Sequence, residues 1–289
     1  MILMNGRIEW KLKGGGTVGP APFLILGILN VTPNSFFDGG RFEKLSRAAR
    51  QIDVLFKDGA DIIDVGGESS RPFSRPVGER EELNRILPVV QQATGEYPEA
   101  FFSVDTYRAG VARKVLEAGV CVINDISACT FDPGLVDIIA EYKPGYVLMH
   151  SKGTPENMQI RPEYDNVLDE IEAFFTRKLN FLTQHGVPEE NIVLDPGIGF
   201  GKSVKHNLQI IGGLDRFSIF NRPIMIGLSN KSLWGKLLDL PINERNMANQ
   251  VGTALAAKRG AGIHRVHDVA AARQTLTIVS EIHNSLAGM

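Results

Sequence analysis

The chain has 289 residues, 43% of them hydrophobic, with 31 Lys and Arg against 33 Asp and Glu. That length is ample for one large core, and a formal net charge of −2 offers no basic field of the kind that attracts nucleic acid or an anionic membrane. The two cysteines, Cys121 and Cys129, form neither a disulfide framework nor a metal-ligand set and read as buried free thiols of a reducing compartment.

Met1 to Lys13 lacks a continuous signal-peptide core, and the longest apolar run, Ala21 to Leu29, is too short to span a bilayer, so a soluble cytoplasmic protein is expected. In chain order, the first structural signal is Gly14-Gly15-Gly16 behind Ile8–Leu12, which predicts a hairpin. Eight short apolar runs follow, predicting strands at Phe23–Leu29, Asp61–Val65, Phe101–Val104, Val120–Ile123, Tyr146–Met149, Ile192–Leu194, Pro223–Ile226 and Gly262–Val266. Each leaves room for a helix before the next. Leu45, Ala48, Ala49, Ile52, Leu55 and Phe56 fall on one face of such a helix, which Gly59 closes. Val111, Val115 and Leu116, ending at Gly119, repeat the device. No linker or composition shift divides the chain. Eight βα units in one domain of residues 1–289, with a core of about 23–280, predict the α/β class and a closed (β/α)₈ TIM barrel, its floor crossed by the N-terminal hairpin. An open doubly wound sheet is the alternative.

In a barrel the side chains past the strand C-termini converge on one mouth. Here they are Asn30, Asp64, Asp105, Asn124-Asp125, Met149-His150, Asp195, Ser229 to Ser232, Arg265 and His267. Such a polar ring suits a planar heterocycle rich in N–H donors, with Asp195 placed for a bidentate pair and Asp105 and Asn124 on other ring edges. Hydrogen bonding inside the barrel is the competing reading, strongest for Asn124. Lys231 is expected to donate to a ring carbonyl or nitrogen; a solvated surface lysine is the alternative. Asp195 to Lys202 resembles neither phosphate loop nor dinucleotide fingerprint, because Pro196 and the spacing of Gly197, Gly199 and Gly201 break both patterns. Arg265 and His267, two apart, face the same way and with Arg71 suit a phosphate; His264 and His267 face opposite ways, against a shared metal. The loops Val31 to Gly40 and Gly66 to Gly78 are long and rich in Gly and Pro, and suit mobile lids.

These residues carry a family resemblance. Gly27-Ile28-Leu29-Asn30-Val31-Thr32-Pro33-Asn34-Ser35-Phe36 with Asp38-Gly39-Gly40, and Asp64 to Pro72, resemble the two opening signatures of the dihydropteroate synthases. Ser103 to Thr106, Asn124 to Ser127, Met149-His150, Asp195 to Lys202, Lys231-Ser232 and Arg265 to Val269 continue in family order. The resemblance implies a transferase that joins 6-hydroxymethyl-7,8-dihydropterin diphosphate to 4-aminobenzoate, releasing diphosphate and 7,8-dihydropteroate for folate synthesis. It implies that Asp105, Asn124, Asp195 and Lys231 hold the pterin, with Met149 and Phe200 nearby. Arg265 is to stack on the ring and meet the diphosphate together with His267, Ser70, Arg71 and Asn30. Asn30 is also the Mg²⁺ contact, the one cofactor implied. Phe36, Pro72 and Ser232 frame the aminobenzoate, which is the sulfonamide site of the family. Asp38, Lys231 and Asp105 are the expected catalytic groups, Asp38 stabilising a pterin cation or accepting the amine proton.

The chain departs from the family at Asn34, Ser70 and Asn230, where Asp, Thr and Arg are usual. Activity is expected to survive with altered substrate affinity. The alternatives are a pterin-binding paralogue without synthase activity, a methyltetrahydrofolate-dependent methyltransferase domain, and an aldolase-type barrel with a Schiff-base Lys231. A homodimer is implied, and Leu233-Trp234 and Leu237-Leu238 serve either its interface or the core.

Overall fold

The computed structural model describes residues 7–31, 41–68, 77–154, 156–158, 160 and 162–287. Strands β1 (Ile8–Lys11) and β2 (Thr17–Ala21) pair antiparallel as the expected hairpin. Strands β3 (Leu24–Asn30), β4 (Ile62–Gly66), β5 (Phe101–Asp105), β6 (Val122–Asp125), β7 (Gly145–Met149), β8 (Ile192–Asp195), β9 (Ile224–Ile226) and β10 (Ala261–Val266) form a closed parallel barrel. Helices α1 (Arg41–Lys57), α2 (Glu79–Glu96), α3 (Ala109–Glu117), α4 (Leu135–Tyr142), α5 (Val167–Gln184), α6 (Val204–Gly212), α7 (Ser232–Leu238), α8 (Asn246–Lys258) and α9 (Val269–Ala287) accompany them. The barrel reading therefore holds over the open sheet. Gly59 and Gly119 close α1 and α3 with φ of +99° and +104°, as their sequence positions require.

Side chains alternate across a strand, and this decides what faces the lumen. Leu26, Ile62, Val122, Val147, Val193, Met225 and Ile263 form an apolar layer inside the barrel. Ile8, Trp10, Leu12 and Val18 of the hairpin pack onto it and close the floor. Trp10 is fully buried and donates its indole N–H to Asn191 O at 2.7 Å. A Cβ on Gly262 would lie 2.0 Å from Ile8 Cδ1, so glycine lets the Ile8 side chain seat there without shifting.

Two residues beyond that apolar layer, the same parity delivers Asp64, Asn124, Met149, Asp195, Gly227 and Arg265 into the lumen at its C-terminal end. β5 adds Asp105. The structure corrects the strand limits here: Asn30, Asp105 and Asp195 close their strands and Asn124 stands one residue before the end of β6, so none is the first residue after a strand. Membership of the mouth is thus a matter of parity, and parity removes two expected members. Asp125 faces outward, where its carboxylate accepts from Ser127 N (2.7 Å), Cys129 N (2.6 Å) and the Tyr146 hydroxyl (2.8 Å). His150 is buried behind the mouth against Lys202. Cys129 is buried and Cys121 half-buried, both as free thiols. No helix among the described residues is long and apolar enough to cross a membrane.

Candidate functional site

Arg265 on β10 organises the mouth. Its Nε donates to Asp64 Oδ2 at 2.6 Å and its Nη2 to Asp105 Oδ2 at 2.8 Å. Burial works against the guanidinium charge, but the two carboxylates outweigh it and hold the group above its ordinary range. Burial pushes the Asp105 carboxyl up to about 7, with Arg265 pulling the other way. Asn124 donates its Nδ2 to Asp64 Oδ2 at 3.1 Å, so its in-barrel bond is real, as the competing reading held.

Asp195 closes β8, and its Oδ1 accepts from Gly197 N at 2.7 Å. Burial raises this carboxyl as well, against Gly197 N and the charges of Lys231, Lys202 and Arg265. Lys231 lies with its Nζ 4.3 Å from the centre of the Phe200 ring, an ammonium over an aromatic face. It is no solvated surface lysine: burial and the Arg265 charge lower its ammonium to about 8. Ile126, Met149, Met158 and Phe200 make a small apolar cluster on one side of the same cleft. The cleft therefore offers an apolar wall, two carboxylates, a carboxamide and two cations around one slot, with the Asp64 carboxylate buried beneath Arg265.

The glycine run after β8 is shaped by close backbone approach. Gly197 has φ +70°, and a Cβ there would meet His150 O at 1.9 Å. Lys202 pins this loop from behind, donating to His150 Nδ1 (2.9 Å), His150 O (3.2 Å) and Phe200 O (2.9 Å). Burial lowers its ammonium to about 7 and drives His150 down to about 2, so His150 is a neutral acceptor. Sequence reading missed this pin. It also missed Arg108, which donates to Glu68, Glu82, Val77 O and the Tyr107 hydroxyl beside Asp105.

Asn30 and His267 meet at the rim, Asn30 Nδ2 lying 3.5 Å from His267 Nε2, and His267 Nδ1 lies 3.0 Å from Ser229 Oγ. Arg265 and His267 are therefore apportioned to different depths. Ser232 opens α7 directly after Lys231. Asn230 sits at φ +59°, a left-handed position that suits Asn, and exchanges side-chain and backbone bonds with Asn249. That pairing, with Arg245 donating to Asn230 O and Lys231 O, orders the loop without the usual Arg. Phe36, Asp38, Ser70, Arg71, Pro72 and Asn34 lie outside the described residues. Among the described residues no group of three His, Cys, Asp or Glu converges on a metal.

The pterin binding enzyme family matches residues 26–267 of the chain. The dihydropteroate synthase of Haemophilus influenzae is 40% identical over 254 residues, 88% of this chain and 92% of that protein. That of Escherichia coli K12 is also 40% identical, over 255 residues, 88% of this chain and 90% of its own. The structure of the Yersinia pestis dihydropteroate synthase with a sulfonamide drug complex superposes with a TM-score of 0.89 at 36% identity, covering 96% of this chain and 100% of that one.

The buried Lys202 makes a pH prediction. Its folded-state value of about 7 lies below the ordinary 10.5, so between the two the unfolded chain holds a proton that the folded chain releases. Stability from this group therefore rises with pH across that interval. Lys202→Met is expected to remove this share of the slope, read as urea midpoints of both proteins at about pH 7 and about pH 10. Parallel pH dependences of variant and parent would contradict it.

Proposed function

The chain belongs to the dihydropteroate synthase family of pterin-binding enzymes, transferases of folate synthesis, and on that premise we propose how its residues divide the work. The observation that carries the reading is the slot itself, with Asp105, Asn124 and Asp195 facing an apolar wall of Met149 and Phe200 beneath Lys231 and Arg265. Dihydropterin is flat, apolar on its faces and lined with N–H donors on its edges. Asp195, Asp105 and Asn124 accept from those edges, Met149 and Phe200 take the faces, and Lys231 donates to a ring acceptor. Arg265 stacks on the ring.

The reaction breaks the C–O bond at the exocyclic methylene. The electron pair leaves with diphosphate, and the dihydropterin ring carries the positive charge. The lone pair of neutral 4-aminobenzoate then forms the new C–N bond, and the amine proton is lost. Asp105 and Asp195 at the ring and Asp64 buried beneath it set three carboxylates against two cations and favour that developing charge, since fixed charges in a dry site stabilise it without reorganisation. Asp38 is the group we assign to the pterin cation or the amine proton. Asn30 and His267 at the rim, with Ser70 and Arg71, meet the diphosphate. Mg²⁺ bound with few protein ligands and shared phosphate oxygens fits a carboxamide at the rim, so Asn30 would hold it. Bound there, the ion neutralises leaving-group charge. Phe36, Pro72 and Ser232 frame the aminobenzoate, and a sulfonamide is expected to compete there, as the Yersinia complex suggests.

We read the chain as one domain of a cytoplasmic enzyme, consistent with its free thiols. We also propose a homodimer. Met247, Val251 and Leu255, four residues apart on α8, and Ile278 and Ile282 on the adjoining α9, expose apolar side chains. Of the two candidate pairs, Leu233-Trp234 is core, whereas Leu237-Leu238 is exposed.

Purified protein is expected to form dihydropteroate from the pterin diphosphate and 4-aminobenzoate only when Mg²⁺ is supplied, and Lys231→Ala to lose about a hundredfold or more in turnover efficiency. Tight pterin binding with no product would instead favour a silent paralogue. Light scattering should give twice the chain mass, and Val251→Glu with Leu255→Glu should halve it; an unaltered mass would move the interface elsewhere.

A further inference from the structure

We infer that Asp64 is a positioning residue that turns the Asn124 carboxamide toward the pterin as an acceptor and sets the rotation of Arg265. The inference rests on the pterin reading of the slot and extends it to a residue with no substrate contact. Asp64 is fully buried on β4, beneath the slot lining. One of its oxygens, Oδ2, accepts from both Asn124 Nδ2 (3.1 Å) and Arg265 Nε (2.6 Å).

A carboxamide presents a donor on one side and an acceptor on the other. An ionised carboxylate only accepts, so Asp64 commits the Asn124 nitrogen downward. The Asn124 oxygen is then left for a ring N–H. The same oxygen fixes Arg265 by its Nε while Asp105 takes Nη2, so the guanidinium is held at two points. Asp125 and Asp195, by contrast, accept from backbone N–H groups and tie down their own loops. Among the described residues Asp64 accepts from no backbone N–H. Its Oδ1 has no hydrogen-bond partner there, and neither does Ser103 Oγ, its neighbour in register. Among the described residues, all the hydrogen bonding of this buried carboxylate is thus spent on two slot residues.

Asp64→Asn tests this. The variant keeps the shape but can donate, so Asn124 loses its fixed orientation and Arg265 loses one of its two carboxylate counter-charges. KM for the pterin diphosphate is expected to rise about tenfold or more, with KM for 4-aminobenzoate within about twofold of the parent. A second readout is the pH midpoint of 6-hydroxymethylpterin binding, measured by calorimetry. Asp105 is faced by Arg265 from β10, Asp64 from β4, Glu82 from α2 and Lys231 from the loop after β9. Without the Asp64 charge it keeps Arg265 to itself, so the midpoint moves to lower pH.

A purely structural Asp64 would lower the melting temperature and the active fraction but leave the pterin KM and the midpoint unmoved, and that result overturns the inference. Should the parent protein fail to bind 6-hydroxymethylpterin, the slot reading falls and this inference with it; a binding parent with an unchanged Asp64→Asn variant removes the inference alone. If Asp64→Asn does not fold, a crystal structure of the parent with 6-hydroxymethylpterin decides the point. A ring N–H facing Asn124 supports the assignment, and a ring acceptor facing it overturns it.

Discussion

Arg265 bridging Asp64 and Asp105 is the contact on which the rest of the mouth depends. Two carboxylates at this depth, without a cation, would repel each other and lose their water with nothing to offset either cost. The guanidinium removes that conflict and spans strands that are not neighbours, β10 on one side and β4 and β5 on the other. Breaking a buried pair of this kind typically costs about 3–5 kcal/mol, because the surviving charge has nowhere to go. The arrangement is less a source of stability than a way to keep charge and donors in a dry slot.

The barrel makes this possible by separating its two ends. The lumen is apolar where the hairpin's Trp10 and Leu12 cluster with Val122 and Val193, and polar two residues further along those strands, at Asn124 and Asp195. A one-residue shift in any strand would exchange Asp195 for Leu194, or Asn124 for Ile123. The same alternation sends Asp125 outward to bind the loop after β6, so neighbouring polar residues on one strand, Asn124 and Asp125, have unlike duties. Lys202 repeats the theme behind the slot, with three acceptors for its three donors.

Much of this was legible in the sequence, for physical reasons. The eight apolar runs and their amphipathic partners announced the barrel, because burial on both faces of a parallel strand demands them. The ends at Met149, Ile226 and Val266 were read correctly, but strands carrying Asn30, Asp105, Asn124 and Asp195 were read a residue or two short, since Asp and Asn are turn formers and looked like the end of a strand. In the barrel, ladder partners carry those residues into the sheet, as Asp105 beside Asn124 shows. Asp105, Asn124, Asp195, Lys231, Met149 and Phe200 do converge on one slot. The Arg265–Asp64 pair was hidden because its members are 201 residues apart and no local pattern links them. Lys202 was hidden because a lysine in a glycine run looks like a loop residue, and its partner His150 comes from beyond the end of β7, 52 residues away. The Asn230–Asn249 exchange gives the departure at Asn230 a structural partner that no local pattern announces.

The central claim is that Arg265 prepares the lumen for a pterin before the ligand arrives. Calorimetric titration of 6-hydroxymethylpterin into the parent protein and into Arg265→Met tests it most directly. The account predicts saturable binding to the parent, and binding weakened by about a hundredfold in a variant that remains folded. Equal affinity in the two proteins would contradict it.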